Sequence, residues 1–172
     1  MATNGELTAV LPDSAVFRRA MGLFPTGVAL VTRGRGADTQ VITVNSLVSV
    51  SLDPIMVLIS VRTAGRMRSL IADGGTFTVN VLGSDQEELS TLFARRDRPR
   101  GEDAAAILGD TVDGAGNVLV PGAVTCLECQ VDAQHVAGDH VLFLGKVTTV
   151  FLGDSDDRPL LFHRGQYASL GA

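Results

Sequence analysis

The chain has 172 residues, 45% of them hydrophobic and 19% charged, with a net charge of −5 and a mean hydropathy of +0.26. This composition excludes intrinsic disorder and provides the core of one globular domain. The acidic balance argues against nucleic acid, whose phosphates select basic surfaces, and no apolar run reaches the length of a membrane span.

Residues 1–12 read as a loose tail without the basic-then-apolar pattern of a secretory signal, so the cytoplasm is the expected compartment. Residues 13–172 read as a single domain. Asp13 or Ser14 caps a helix running to Leu23, with Val16, Phe17, Ala20 and Met21 on one side. Phe24-Pro25-Thr26-Gly27 breaks it. Residues 27–32 read as a strand, 33–38 as a Gly-rich turn, and 40–44 and 55–61 as further strands, the last an apolar run expected deep in the sheet. Thr63 caps a short helix with Met67, Leu70 and Ile71 inward, stopped by Gly74-Gly75. Residues 76–82 form a strand. Ser84-Asp85-Gln86-Glu87 is a capping box opening a helix that buries Leu89, Leu92 and Phe93. Residues 95–117 are charged and Gly-rich, with one helical turn at 104–108, and read as a mobile loop. Residues 124–136 and 140–152 form a hairpin turning at Ala137-Gly138-Asp139, and 159–162 a last strand.

Many strands joined by turns, with a few short helices, favour an antiparallel barrel over a doubly wound sheet. Neither G-x-G-x-x-G nor a Walker A motif occurs. The two cysteines, Cys126 and Cys129, sit three apart on a strand, so they face opposite ways and do not converge. No second pair completes a zinc site, and no metal is expected. The mean hydropathy fits an apolar face buried between two copies, hence a homodimer.

Two segments carry chemistry. In Thr43-Val44-Asn45-Ser46-Leu47-Val48-Ser49-Val50-Ser51-Leu52-Asp53-Pro54 a strand ends and hydroxyls, an amide and backbone N–H groups follow closely. That mixture suits the polar edge of a ring cofactor, and it equally suits a Ser-rich turn satisfying its own backbone. In Gly138-Asp139-His140-Val141-Leu142-Phe143 a histidine opens a strand. These segments resemble the short-chain flavin reductase family, the small partners of two-component monooxygenases, over about residues 16–170. The chain departs from that family's habit at Val41, Asn45 and Ile55, and at Gly65 and Met67, where the family commonly has Ser and Thr.

The resemblance implies a mainly β fold, an FMN-binding split β-barrel of Greek-key type with a few short peripheral helices. It implies an NAD(P)H:flavin oxidoreductase that reduces FMN or FAD by hydride transfer and supplies a separate monooxygenase. The rivals are an electron carrier holding FMN tightly and a non-catalytic flavin- or haem-binding barrel. NADH and NADPH stay open as donors. His140 is implied to place the nicotinamide over the flavin. Thr43, Val44, Asn45, Ser46, Ser49, Val50 and Ser51 are implied to hold the flavin, and the helix start with Arg66 to hold its phosphate, as helix N-termini do. Arg62 and Arg68 are further phosphate candidates. Phe93 and Ala94 are implied to lie near the flavin, though Phe93 also reads as core. Gly138 and Asp139 shape the turn or orient His140. Arg164 and Tyr167, in His163-Arg164-Gly165-Gln166-Tyr167, reach the cofactor, the dimer contact or neither. Arg95, Arg96, Arg98 and Arg100 are a solvated loop, a pyrophosphate contact or a dock for an acidic partner. His135 reads as surface.

Overall fold

The computed structural model describes residues 7–153 and 158–170. The elements in chain order are α1 (Ser14–Gly22), β1 (Thr26–Gly27), β2 (Ala29–Arg33), β3 (Gln40–Val44), β4 (Val48–Leu52), β5 (Ile55–Arg62), α2 (Arg66–Gly74), β6 (Thr76–Val81), α3 (Glu87–Ala94), α4 (Glu102–Leu108), β7 (Thr125–Ala137), β8 (His140–Leu152), β9 (Leu161–His163) and β10 (Gln166–Ala168). Among the described residues no helix is long and apolar enough to cross a membrane. The tail expected over 1–12 lies partly outside the described residues, at 1–6; residues 7–12 are exposed and irregular.

Seven strands pair antiparallel in the order β3-β2-β6-β7-β8-β5-β4, and β1, β9 and β10 make a small second sheet. The outermost strands of the large sheet, β3 and β4, are consecutive and separated only by residues 45–47. In a flat sheet six strand spacings would hold them about 29 Å apart. Four Cα steps span at most about 15 Å. The sheet therefore curls until its edges face each other, and because β3 and β4 share no ladder the barrel is split there. The spatial run β5-β8-β7-β6 has the Greek-key order.

Period-2 alternation sorts β2 and β6 between two cores. Ala29, Val31, Phe77 and Val79 face the barrel interior with Ile59, Phe143 and the inner face of α2, Met67 and Ile71. Leu30 points the other way, into a second core with Leu82, Phe93, Ala104, Leu108, Val118 and Leu160. The polar residues on that outer side are buried and satisfied. Thr32 Oγ1 donates to Val118 O at 2.6 Å, Asn80 Nδ2 donates to Leu30 O at 3.2 Å, and Asn80 Oδ1 accepts from Val120 N at 2.9 Å. Thr78 Oγ1 donates to Asp113 Oδ2.

These contacts correct the reading of residues 95–117 as a mobile loop. Ala104, Leu108 and Asn117 are fully buried or nearly so, and the segment is the lid of the second core. Its Gly-rich, charged composition conceals the few positions that pack. Two helix starts also differ from expectation. Gly65, not Thr63, precedes α2 without a side-chain cap, and the Thr63 N–H donates instead to Asp139 O at 2.9 Å. Helix α3 starts after Gln86 rather than at Ser84; Gln86 Oε1 accepts from Gly83 N at 3.0 Å and its Nε2 donates to Pro121 O at 2.8 Å. Residues 48–52, read as loop, are strand β4, and the expected last strand is a short hairpin, β9–β10. The apolar residues of α1 find no core: Phe17 and Met21 are exposed. Strand β5 buries Val57, Ile59 and Val61 but lies next to the sheet edge.

Cys126 and Cys129 face different cores, and burial pushes their thiols up to about 11 and about 12. Both are protonated and inert at neutral pH.

Gly145 on β8 is required by close approach, since a Cβ there would lie 2.6 Å from Phe77 Cζ and 3.1 Å from Cys129 Cβ. Gly145→Ala is expected to cost about 1–3 kcal/mol through overpacking. Adding Phe77→Leu should recover part of that cost, so that urea denaturation of the double variant gives less than the sum of the singles.

Candidate active site

The barrel's split opens into a cleft of about 510 Å³, within the range that accommodates a cofactor-sized ligand. Its floor is the end of β3 and the link to β4, namely Ile42, Thr43, Val44, Asn45 and Ser46. One wall is the end of β5, with Ser60, Val61 and Arg62, continued by Ala64, Gly65 and Met67 at the start of α2. The other is the end of α3, with Phe93 and Ala94, followed by Arg96 and Arg98. His140 closes the rim, where it pairs with Arg62 in the β5–β8 ladder.

Two hydroxyls of the floor are already engaged. Thr43 Oγ1 donates to Ser90 O at 2.7 Å, tying β3 to α3. Ser46 Oγ accepts from Ser60 N at 3.0 Å and donates to Ser60 O at 3.3 Å, tying the link to β5. They shape the floor. The groups it offers a ligand are the exposed Asn45 amide and the backbone on the unpaired edge of β3.

His140 sits at the first position of β8 because Gly138, at φ 62°, makes the first residue of a two-residue turn. Its Nδ1 lies 2.7 Å from Asp139 Oδ1, which leaves Nε2 as the ring nitrogen open to a ligand. The hydrogen bond from His140, then its charge, holds the Asp139 carboxyl below the usual aspartate value.

Three arginines, Arg62, Arg96 and Arg98, line the cleft, and among the described residues no carboxylate does. The other two arginines of the loop are occupied elsewhere. Arg95 forms a two-pronged pair with Asp97 at 3.0 and 2.6 Å, and Arg100 Nη2 donates to Arg96 O at 3.3 Å. An anionic ligand with an apolar body fits this lining, since the part-exposed Ile42, backed by the buried Val61, Met67 and Phe93, makes an apolar wall beside the cations.

Of the residues singled out from sequence, the cleft brings together Thr43, Val44, Asn45, Ser46, Phe93, Ala94 and His140. Phe93 is fully buried in the second core, as its core reading expects, and backs the cleft wall from there. Ser49, Val50 and Ser51 lie on β4 outside the cleft, and Ser51 Oγ accepts from Asp53 N at 3.2 Å. Arg66 opens α2 but faces a separate groove with Arg33 and Asp73. Gly138 and Asp139 sit behind His140. Arg164 lines a shallow groove with Arg18 and Arg19, and Tyr167 stacks edge-on with Phe162 at 5.4 Å while its hydroxyl lies 2.8 Å from Ser90 Oγ. Sequence reasoning did not single out Ser60 or Ser90, whose only signal is a small polar residue breaking an apolar face.

The fold and cleft define a split-barrel protein with a cationic, ring-sized site at its seam. The model of the flavin reductase like domain matches residues 21–171, and the chain belongs to that family. It is 47% identical over 159 residues to the NADH-dependent FMN reductase AsuE2 of Streptomyces nodosus subsp. asukaensis, covering 92% of this chain and 86% of the relative. It is 30% identical to the reductase subunit HsaB of a flavin-dependent monooxygenase of Rhodococcus jostii, covering 97% and 83%. Among solved structures, the NADH:FAD oxidoreductase SgcE6 of Streptomyces globisporus in complex with NAD and FAD fragments superposes with a TM-score of 0.85 at 35% identity, covering 95% of this chain and 98% of that one.

The Asp139 depression makes a signed prediction. A depressed carboxyl contributes stability above the ordinary aspartate range, and that contribution is lost as pH falls through the depressed value. In His140→Ala, Asp139 should titrate above its wild-type value and closer to the ordinary aspartate range, as read by carboxyl carbon NMR.

Proposed function

We propose that this protein is an NADH-dependent flavin reductase that holds FMN or FAD in the seam cleft and hands reduced flavin to a separate flavin-dependent monooxygenase. The observation that carries the reading is the meeting, in one cleft, of an unpaired strand edge, apolar walls, arginines with no carboxylate partner among the described residues and a histidine held by a carboxylate. It is supported by one relative's NADH-dependent FMN reductase activity and by another's place as the reductase subunit of a flavin-dependent monooxygenase.

The overall change is NADH + FMN + H⁺ → NAD⁺ + FMNH₂. Bound flavin supplies the redox chemistry by accepting a hydride from the reduced nicotinamide. The chain's own residues bind and orient. The β3 edge and Asn45 take the polar edge of the ring, and Met67 and Phe93 take its apolar surface. Arg62 and the first backbone N–H groups of α2 take its phosphate. Arg66 is a second-rank phosphate contact because its groove lies on the other side of the helix start. His140, fixed through Nδ1 by Asp139, offers Nε2 to the nicotinamide amide and sets its approach. Ser49, Val50, Ser51, Arg164 and Tyr167 support the site from outside the cleft.

Residues 13–172 act as one flavin reductase domain in the cytoplasm, with neither nucleic acid nor membrane as partner. The working unit is a homodimer. Phe17, Met21, Leu23 and Phe24 around α1, and Val48, Val50 and Leu52 on β4, are all exposed, and an apolar surface of that extent is ordinarily covered by a partner.

NADH oxidation should rise and saturate with added FMN. His140→Ala should lower kcat/KM for NADH by about 10- to 100-fold while FMN affinity, followed by fluorescence quenching, stays within about threefold, a small change on the affinity scale. Turnover that is unchanged in the variant would remove His140 from this role. Light scattering should give twice the 18.0 kDa chain mass, and Phe17→Asp with Met21→Asp should shift it toward the monomer.

A further inference from the structure

We infer that Arg96 and Arg98 form a subsite for the adenosine diphosphate moiety that NADH and FAD share and FMN lacks. The inference rests on the flavin reductase reading of the cleft and assigns a part of it that this reading leaves unused.

The cleft has cations on two separate walls. Arg62 stands at the end of β5 beside His140, and Arg96 and Arg98 stand beyond α3. The floor runs between them, since Thr43 is bonded to Ser90 of α3 and Ser46 to Ser60 of β5. The flavin phosphate at Arg62 and the start of α2 leaves the second pair without a ligand in the FMN complex. A diphosphate carries two anionic groups and suits a wall lined by two arginines, Arg96 and Arg98.

The loop sorts its arginines for this role. Asp97 removes Arg95 from the cleft, and Arg100 turns back to the Arg96 carbonyl. Arg98 Nη1 donates to Arg95 O at 3.0 Å, which fixes its guanidinium. Among the described residues no carboxylate lies within ion-pair distance of Arg96 or Arg98. Burial, with the charge of Arg100 second, holds the Arg98 guanidinium below its ordinary value. A half-buried cation facing another cation is stabilised by an incoming anion.

The platform is also preformed. Helix α3 holds one end, and the Gly101 N–H donates to Thr39 O at 2.7 Å at the other. Gly101 has φ 57°, and a Cβ there would lie 2.8 Å from Ala37 O, so the chain enters α4 by a close approach that only glycine permits. A pinned loop loses little entropy on binding.

The test titrates ADP, FAD and FMN separately into the full-length wild type and into Arg96→Ala, Arg98→Ala, their double variant and Arg98→Lys. Each alanine should weaken ADP and FAD binding by about tenfold while FMN affinity holds; Arg98→Lys should fall between, keeping charge without the fork. Equal losses for FMN and ADP would make the pair the flavin phosphate site and overturn the assignment. Unchanged ADP and FAD binding in a folded double variant, checked by circular dichroism, would leave a solvated loop or a protein dock and also overturn it. ADP binding is read without turnover, so a wild type that shows no FMN-stimulated NADH oxidation would defeat the reductase reading while the ADP titration still judges the subsite.

Discussion

The three-residue link between β3 and β4 is the constraint on which the rest of the structure depends. It forces opposite edges of a seven-stranded sheet together without room for a ladder between them. Ser46 compensates locally. The β4–β5 ladder ends at Val48↔Leu58, and the next partner of Ser60 would be Ser46. There the side-chain hydroxyl both donates to and accepts from the Ser60 backbone, in place of a strand neighbour. The sheet is thereby completed on the β5 side and left open on the β3 side. A barrel edge with unmet backbone groups is costly unless water or a ligand meets them. The cleft lies along one such edge, that of β3.

Burial of β2 and β6 on both faces determines what surrounds that cleft. A strand with one wet face can place its polar residues outward. Here Thr32, Thr78 and Asn80 are on a covered face, and each requires a partner from residues 111–120. That requirement folds the long excursion between β6 and β7 onto the barrel instead of leaving it in solvent. The arginines following α3 therefore belong to a packed segment, anchored beyond them by Gly101 and the buried Ala104 and Leu108 of α4. Anchoring of this kind converts a basic run into a wall of the cleft.

The sequence made most strands legible, because alternation and turn residues coincide. The β7–β8 turn at Gly138-Asp139 and the stop at Gly75, in the left-handed region at φ 67°, are local chemistry and read directly. Cysteine divergence is strand geometry and reads equally well. What did not read was long-range. Thr63 and Ser84 read locally as side-chain caps, but tertiary contacts to Asp139 and Pro121 engage those segments. Strand β4 is concealed by the two serines among its five residues, although its register with β5 is what extends the ladder toward the seam. Asn45, Ser46 and His140 stood out in the sequence through local motifs. Their proximity to Phe93 and to Arg96 and Arg98 depends on barrel closure and on the Thr43–Ser90 contact, which no local pattern encodes.

Electrostatics gives the cleft its selectivity against the background of the whole chain. With a net charge of −5 the molecule repels polyanions at long range. Within the cleft the sign reverses, because three arginines face inward and the nearby carboxylates are spent on other partners: Asp97 on Arg95 and Asp139 on His140. A small dianion feels the local field at contact, where apolar walls keep screening low. A long polyphosphate chain meets the outer acidic surface first. The same two aspartates that remove negative charge from the lining also fix geometry, one aligning the arginine loop and the other the imidazole. Selection for a compact phosphate-bearing ring and orientation of the group that meets it thus arise from one arrangement of charges at the seam.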